Sequence, residues 1–90
     1  MVGPRMLTAF LLITVKAGTD EVVVERLRKV NRIAEVHEIY GAYDILARVA
    51  AENADEIQAT KAGILLMEDV RGVEVVNVLR EWMKEGSAEG

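Results

Sequence analysis

Ile39-Tyr40-Gly41-Ala42-Tyr43-Asp44 lies between two runs rich in β-formers, Ile33 to Tyr40 before it and Tyr43 to Ala50 after it. Only a glycine and a neighbour or two separate the runs, which is hairpin spacing. Gly41 reaches positive φ without steric cost, so the spacing predicts a tight reversal there. Asp44 falls just past the turn, at the lip of the sheet, where a carboxylate does not fill a core. The local reading is that Gly41 makes the turn and Asp44 caps loop amides.

Upstream, Met6 to Lys16 is apolar on both pleat faces. Leu7, Ala9, Leu11, Ile13 and Val15 share one face, and Met6, Phe10 and Leu12 lie on the other. A strand buried on both faces is central in its sheet and needs cover on each side. Ala17-Gly18 ends it. Thr19 is placed as an N-cap, with Asp20 and Glu21 in a first turn where the helix dipole favours anions. Val23, Leu27 and Val30 form the apolar stripe of that helix, and Asn31 is its stop.

Downstream, Ile45, Ala47 and Val49 line one face of the strand after the turn, and Leu46 and Arg48 the other. Asn53 with Glu56 three residues later predicts a capping box. The second helix should run to about Asp69, with Ile57, Thr60, Ile64 and Met67 inward and Leu65 and Leu66 outside that stripe. Gly72 reads as the stop, and Val73 to Leu79 as the last strand. Residues 1–90 read as one domain with a core of about 6–80. Residues 81–90 form a tail in which Trp82 and Met83 pack first.

The order is β-α-β-β-α-β, the split βαβ arrangement of ferredoxin-like α+β folds. Right-handed crossovers put both helices on one face of a four-stranded antiparallel sheet. The other face carries apolar side chains whose exposure costs about 25 cal/mol per Å². Dimers, face to face or edge to edge, are therefore the minimum assembly expected. A one-residue slip would exchange the two faces of the first strand.

Composition narrows the function. A net charge of −4 argues against direct nucleic-acid binding, which needs a basic face, and against adhesion to anionic membranes. The chain has no Cys, hence no thiolate chemistry and no Cys-ligated metal. With one His, His37, it has no multi-histidine metal site. Hydrophobic residues make up 51% of a 90-residue chain, more than so small a volume needs, which points to burial against other subunits. The apolar stretch from Met6 is too short to span a bilayer, so the expected location is the cytoplasm. Asp20, Glu21, Asp55 and Glu56 are accounted for by helix N-termini, and no glycine loop for phosphate is present. No enzyme activity, cofactor or metal is expected.

The span from about Leu11 to Leu79 resembles the effector-binding (RAM) domain of the Lrp/AsnC regulators. The matching features are Val15-Lys16-Ala17-Gly18 after the first strand, Val36 leading into Ile39 to Leu46, and Val70-Arg71-Gly72-Val73 before the last strand. The chain has no room for the family's usual helix-turn-helix, so it resembles the stand-alone module. The resemblance implies dimers of the dimeric α+β barrel type that assemble into octamers or similar rings. It also implies small effectors, mainly amino acids, bound at subunit interfaces. Gly41, Ala42, Tyr43 and Asp44 would be effector-site residues, with Asn77 as the one neutral polar side chain of the last strand. A full-length Lrp/AsnC regulator is an implied partner. Two other readings are a purely structural oligomerisation module and a small dimeric α+β barrel enzyme, since fold does not decide function.

Overall fold

The computed structural model describes residues 6–82 and residue 84. The chain forms β1 (Leu7–Val15), α1 (Asp20–Leu27), β2 (Ile33–Glu38), β3 (Ile45–Ala51), α2 (Ala54–Leu65) and β4 (Val70–Asn77). The strands make one antiparallel sheet in the order β2-β3-β1-β4. This is the ferredoxin-like βαββαβ fold expected from the sequence.

β1 and β3 occupy the centre, each with one face fully buried and the other half-buried. Ala9, Leu11 and Ile13 are fully buried, together with Ile45, Ala47 and Val49 of β3. Val23 and Leu27 of α1 and Ile57 and Ile64 of α2 close over them in a single core. Thr60, the one buried polar side chain among the described residues, is satisfied within its own helix by donating from Oγ1 to Glu56 O at 2.8 Å. The alternation of burial fixes the faces: Leu11 points to the helices, and Phe10 and Leu12 to the uncovered side.

Several boundaries differ from those read in the sequence. The reversal at Gly41 is not a tight hairpin, since β2 stops at Glu38 and β3 begins at Ile45. The Asp44 main chain bridges the two sides here, accepting from Ile39 N and donating to Ile13 O of β1. Helix α1 stops at Leu27, leaving Val30 in the following turn. Thr19 holds the N-cap position, but its hydroxyl donates to Lys16 O at 2.6 Å rather than accepting a helix amide. Helix α2 stops at Leu65, leaving Met67 and Asp69 outside it, and β4 starts at Val70 with Gly72 inside the strand. The chain reverses at Asp69 (φ 78°), because Asp is one of the few side chains that tolerates the left-handed basin. Trp82, expected to pack, is 78% exposed beside the Arg80 guanidinium. Met83 and most of the tail lie outside the described residues.

The capping box is formed. Asn53 Oδ1 accepts from Glu56 N at 2.9 Å, and Glu56 Oε1 accepts from Glu52 N at 2.8 Å, one residue earlier than the usual reciprocal bond. Arg32 Nε lies 3.1 Å from the same Glu56 oxygen. The Arg32 hydrogen bond first, and the Glu52 amide second, hold the Glu56 carboxyl below its ordinary value of 4.5. A depressed folded pKa gives stability that is complete above the unfolded value and lost as pH falls through the folded one. Glu56→Gln should therefore flatten the decline in melting temperature below about pH 4.5. An acid limb identical to wild type, followed by circular dichroism, would contradict this.

Candidate functional site

Residues 39–44 form a six-residue loop at the end of the sheet where β1 leaves it. Ile39 N donates to Asp44 O at 3.0 Å and closes the loop. Asp44 N donates to Ile13 O at 3.0 Å, which docks it on β1. Beyond that bond β3 turns away, and a backbone carbonyl no longer reaches Val15. The Asp44 carboxylate takes its place, with Oδ2 accepting from Val15 N at 2.9 Å. Asp44 thus extends the β1–β3 ladder by one rung through its side chain.

Gly41 and Ala42 are exposed, and Tyr43 and Asp44 half-buried. Gly41 has φ 157°, at the margin of the region that favours glycine, and a Cβ there would meet nothing within 4 Å. Among the described residues, no intrachain hydrogen bond engages the amides of Gly41, Ala42 or Tyr43. No buried side-chain oxygen among them lacks a partner, so the other Asp44 oxygen, Oδ1, reaches solvent. Unengaged donor amides and a free carboxylate oxygen therefore belong to one six-residue loop. That pairing suits a small zwitterion, with its carboxylate on the amides and its ammonium on Oδ1.

The structure brings Gly41 to Asp44 together but leaves Asn77 apart. Asn77 pairs with Ala9, while Asp44 docks beyond Ile13. Five residues of strand separate the two levels, about 17 Å. Within one chain Asn77 cannot serve the same small ligand as the loop.

Sequence reading missed the other side of the same sheet end. Register shifts between Thr14 and Val15 on the β4 side, leaving Arg71 as an extra residue. Lys16 N donates to Asp69 O at 2.8 Å, and Arg26 holds the turn from α1 by donating to Glu68 O at 3.0 Å. The end of β1 is therefore gripped by Asp44 on one side and the Asp69 turn on the other. The available signal was an Asp, tolerant of positive φ, just before a β-rich run.

Surface clefts of about 440 and 570 Å³ open elsewhere, the first beside Arg32, Glu52 and Glu56 and the second beside Leu7, Leu79 and Trp82. Both lie at the opposite end of the sheet from the loop. Among the described residues no group of three His, Asp or Glu is placed to hold a metal ion, and no helix is long and apolar enough to cross a membrane.

The family described as Lrp/AsnC ligand binding domain matches residues 8–88. The HTH-type transcriptional regulator FL11 of Pyrococcus furiosus is 35% identical over 72 residues, which is 80% of this chain and 48% of the relative. The chain spans about half the length of the curated relatives it matches. TTHA0845 from Thermus thermophilus superposes with a TM-score of 0.81 at 29% identity, covering 88% of this chain and 100% of the other. E. coli AsnC superposes with a TM-score of 0.83 over 94% of this chain and 61% of its own; at 19% identity this is a likeness of fold.

Proposed function

The chain belongs to the Lrp/AsnC ligand-binding domain family, and from that premise we propose that it is an oligomeric regulatory module that binds a small effector, an amino acid, at subunit interfaces. It acts in the cytoplasm and modulates a DNA-binding regulator of the Lrp/AsnC type rather than binding DNA itself. The observation that supports this most is the lip at Gly41 to Asp44, one loop that carries unengaged amides and a free carboxylate oxygen. The shallow lip gains walls when subunits meet. The apolar open face of the sheet supports a second copy as the first partner: Phe10, Leu12 and Leu46 are half-buried and Val76 is 47% exposed there. A purely structural oligomerisation module is the second reading. The Val15–Asp44 bond favours it, because that bond occupies half the carboxylate without any ligand.

The test is a thermal-shift screen with the twenty amino acids, since a ligand of the folded state raises the midpoint by mass action. Calorimetric titration of the best hit then compares wild type with Asp44→Asn. The amide keeps an acceptor for Val15 N but loses the charge that holds an ammonium. Binding should weaken about ten- to a hundredfold, the equivalent of 1.5–3 kcal/mol, with the melting temperature unchanged. Equal affinities would move the site away from Asp44. A wild type that binds none of the twenty would favour the oligomerisation reading.

A further inference from the structure

Val15 and Lys16 mark the point where four segments of the chain meet. Val15 N donates to the Asp44 carboxylate of the 39–44 loop at 2.9 Å. Lys16 N points to the opposite edge of β1, as the next amide of a strand does, and donates to Asp69 O at 2.8 Å. Lys16 O carries the entry to α1, accepting from Thr19 N at 3.1 Å and from Thr19 Oγ1 at 2.6 Å. The Asp69 turn is held from α1 as well. Arg26 donates to Glu68 O at 3.0 Å, and its guanidinium lies 3.8 Å from the Asp69 carboxylate. Neither edge of β1 has a regular backbone ladder here. On the β3 side the last rung is a side chain, and on the β4 side the register shifts between Thr14 and Val15. Such a strand end opens more readily than the strand centre. The Val15 side chain is nevertheless part of the core, so the two edges open and close together.

We infer that the Val15–Lys16 junction is a relay, through which an amino acid held at Asp44 is coupled to the Asp69 turn and to Arg26 of α1. The inference rests on the amino-acid site proposed above. A ligand ammonium on Asp44 Oδ1 fixes the carboxylate whose other oxygen, Oδ2, serves Val15 N. It therefore favours the closed rung. By linkage, anything that favours the closed rung from the far edge favours the ligand by the same factor. The Asp69 turn acts from that edge. Asp69 is at φ 78°, a basin that disfavours side chains other than glycine's. The Lys16 amide and the Arg26 guanidinium offset that strain, and loss of either loosens the turn. Arg26 is thus a positioning residue: it reaches the 39–44 loop only by way of Glu68, Asp69 and Lys16. The receiving element is α1, whose first turn hangs from Lys16 O and whose Arg26 grips the Asp69 turn.

Amide hydrogen exchange of the ligand-free chain tests the coupling. Asp44→Ala removes the acceptor of Val15 N. It should speed exchange at Val15 and also at Lys16, whose own acceptor is untouched. Arg26→Gln is too short to hold Glu68 O. It should speed exchange at Lys16 and also at Val15. Changes of about two- to thirtyfold are expected, beyond any change in the amides at the centre of β1, which report global opening. Asp44→Asn keeps an acceptor for Val15 N and should leave both amides as in wild type. An equimolar mixture of the twenty amino acids is then titrated into wild type and Arg26→Gln. It should slow exchange at Val15 and Lys16 in the wild type, and Arg26→Gln should need about two- to thirtyfold more for the same effect. Lys16 exchange that ignores Asp44→Ala, Val15 exchange that ignores Arg26→Gln, or equal titration midpoints overturn the relay while the amino-acid site stands. A mixture that slows no amide of the wild type overturns the site, and the relay with it.

Discussion

Leu12→Glu is expected to split the proposed sheet-face assembly, with a dissociation constant raised about a hundred- to several-thousandfold. Leu12 lies at the middle of the uncovered sheet face, opposite Leu46 on one side and Glu74 on the other. In a sheet-face dimer the new carboxylate would be shut away from water without a cation, beside an existing carboxylate. Leaving a buried charge unpaired costs about 3–5 kcal/mol, and each 1.4 kcal/mol is about tenfold in affinity. In the monomer the same side chain stands in solvent, so β1 itself tolerates it. Sedimentation velocity over a range of concentrations, with circular dichroism on the same samples, checks this. A variant that sediments as wild type would remove the sheet face from the assembly.

One residue earlier the expected effect changes in kind. Leu11→Ala should lower stability by about 2–5 kcal/mol at any protein concentration, because Leu11 is fully buried between Ala47 and Val75 and under the helices. At about 4–8 °C per kcal/mol for a domain of this size, the melting temperature should drop by roughly 8–40 °C. The loss combines the transfer of the missing methyl groups with the cavity left in a core that cannot collapse freely. Thermal unfolding at two concentrations separates the two variants, since Leu12→Glu acts on association and Leu11→Ala on the fold. A drop of under about 3 °C for Leu11→Ala would show that the site closes up around the smaller side chain.

The faces of β1 were legible in the sequence because alternation over nine residues leaves only two choices, and the helices select one. The stripes Val23/Leu27 and Ile57/Thr60/Ile64 were legible for the same reason, at helical period. Loop geometry was not. Gly41 suggested a tight turn, yet the length of the 39–44 connection depends on Asp44 bonding to β1, a partner 29 residues away along the chain. The end of α2 was misplaced because Gly72 is the more familiar stop, whereas Asp69 is held in its left-handed conformation through contacts to Lys16 and Arg26. The loop residues 41–44 were singled out as candidates through their resemblance to a family motif. Asn77 was chosen by residue type alone, and only the register of β4 reveals how far it lies from them.

The central place of β1 also bears on how the chain reaches its fold during synthesis. Leu11 pairs with Ala47 and Val75, 36 and 64 residues further along. Contacts that distant give a high contact order, so the entropy of loop closure is lost before pairing offsets it. At roughly 5–20 residues per second, the ribosome releases β4 about 3–13 s after β1. Throughout that interval the central strand β1 lacks its second neighbour, β4. The sheet can therefore close only after translation has passed Asn77.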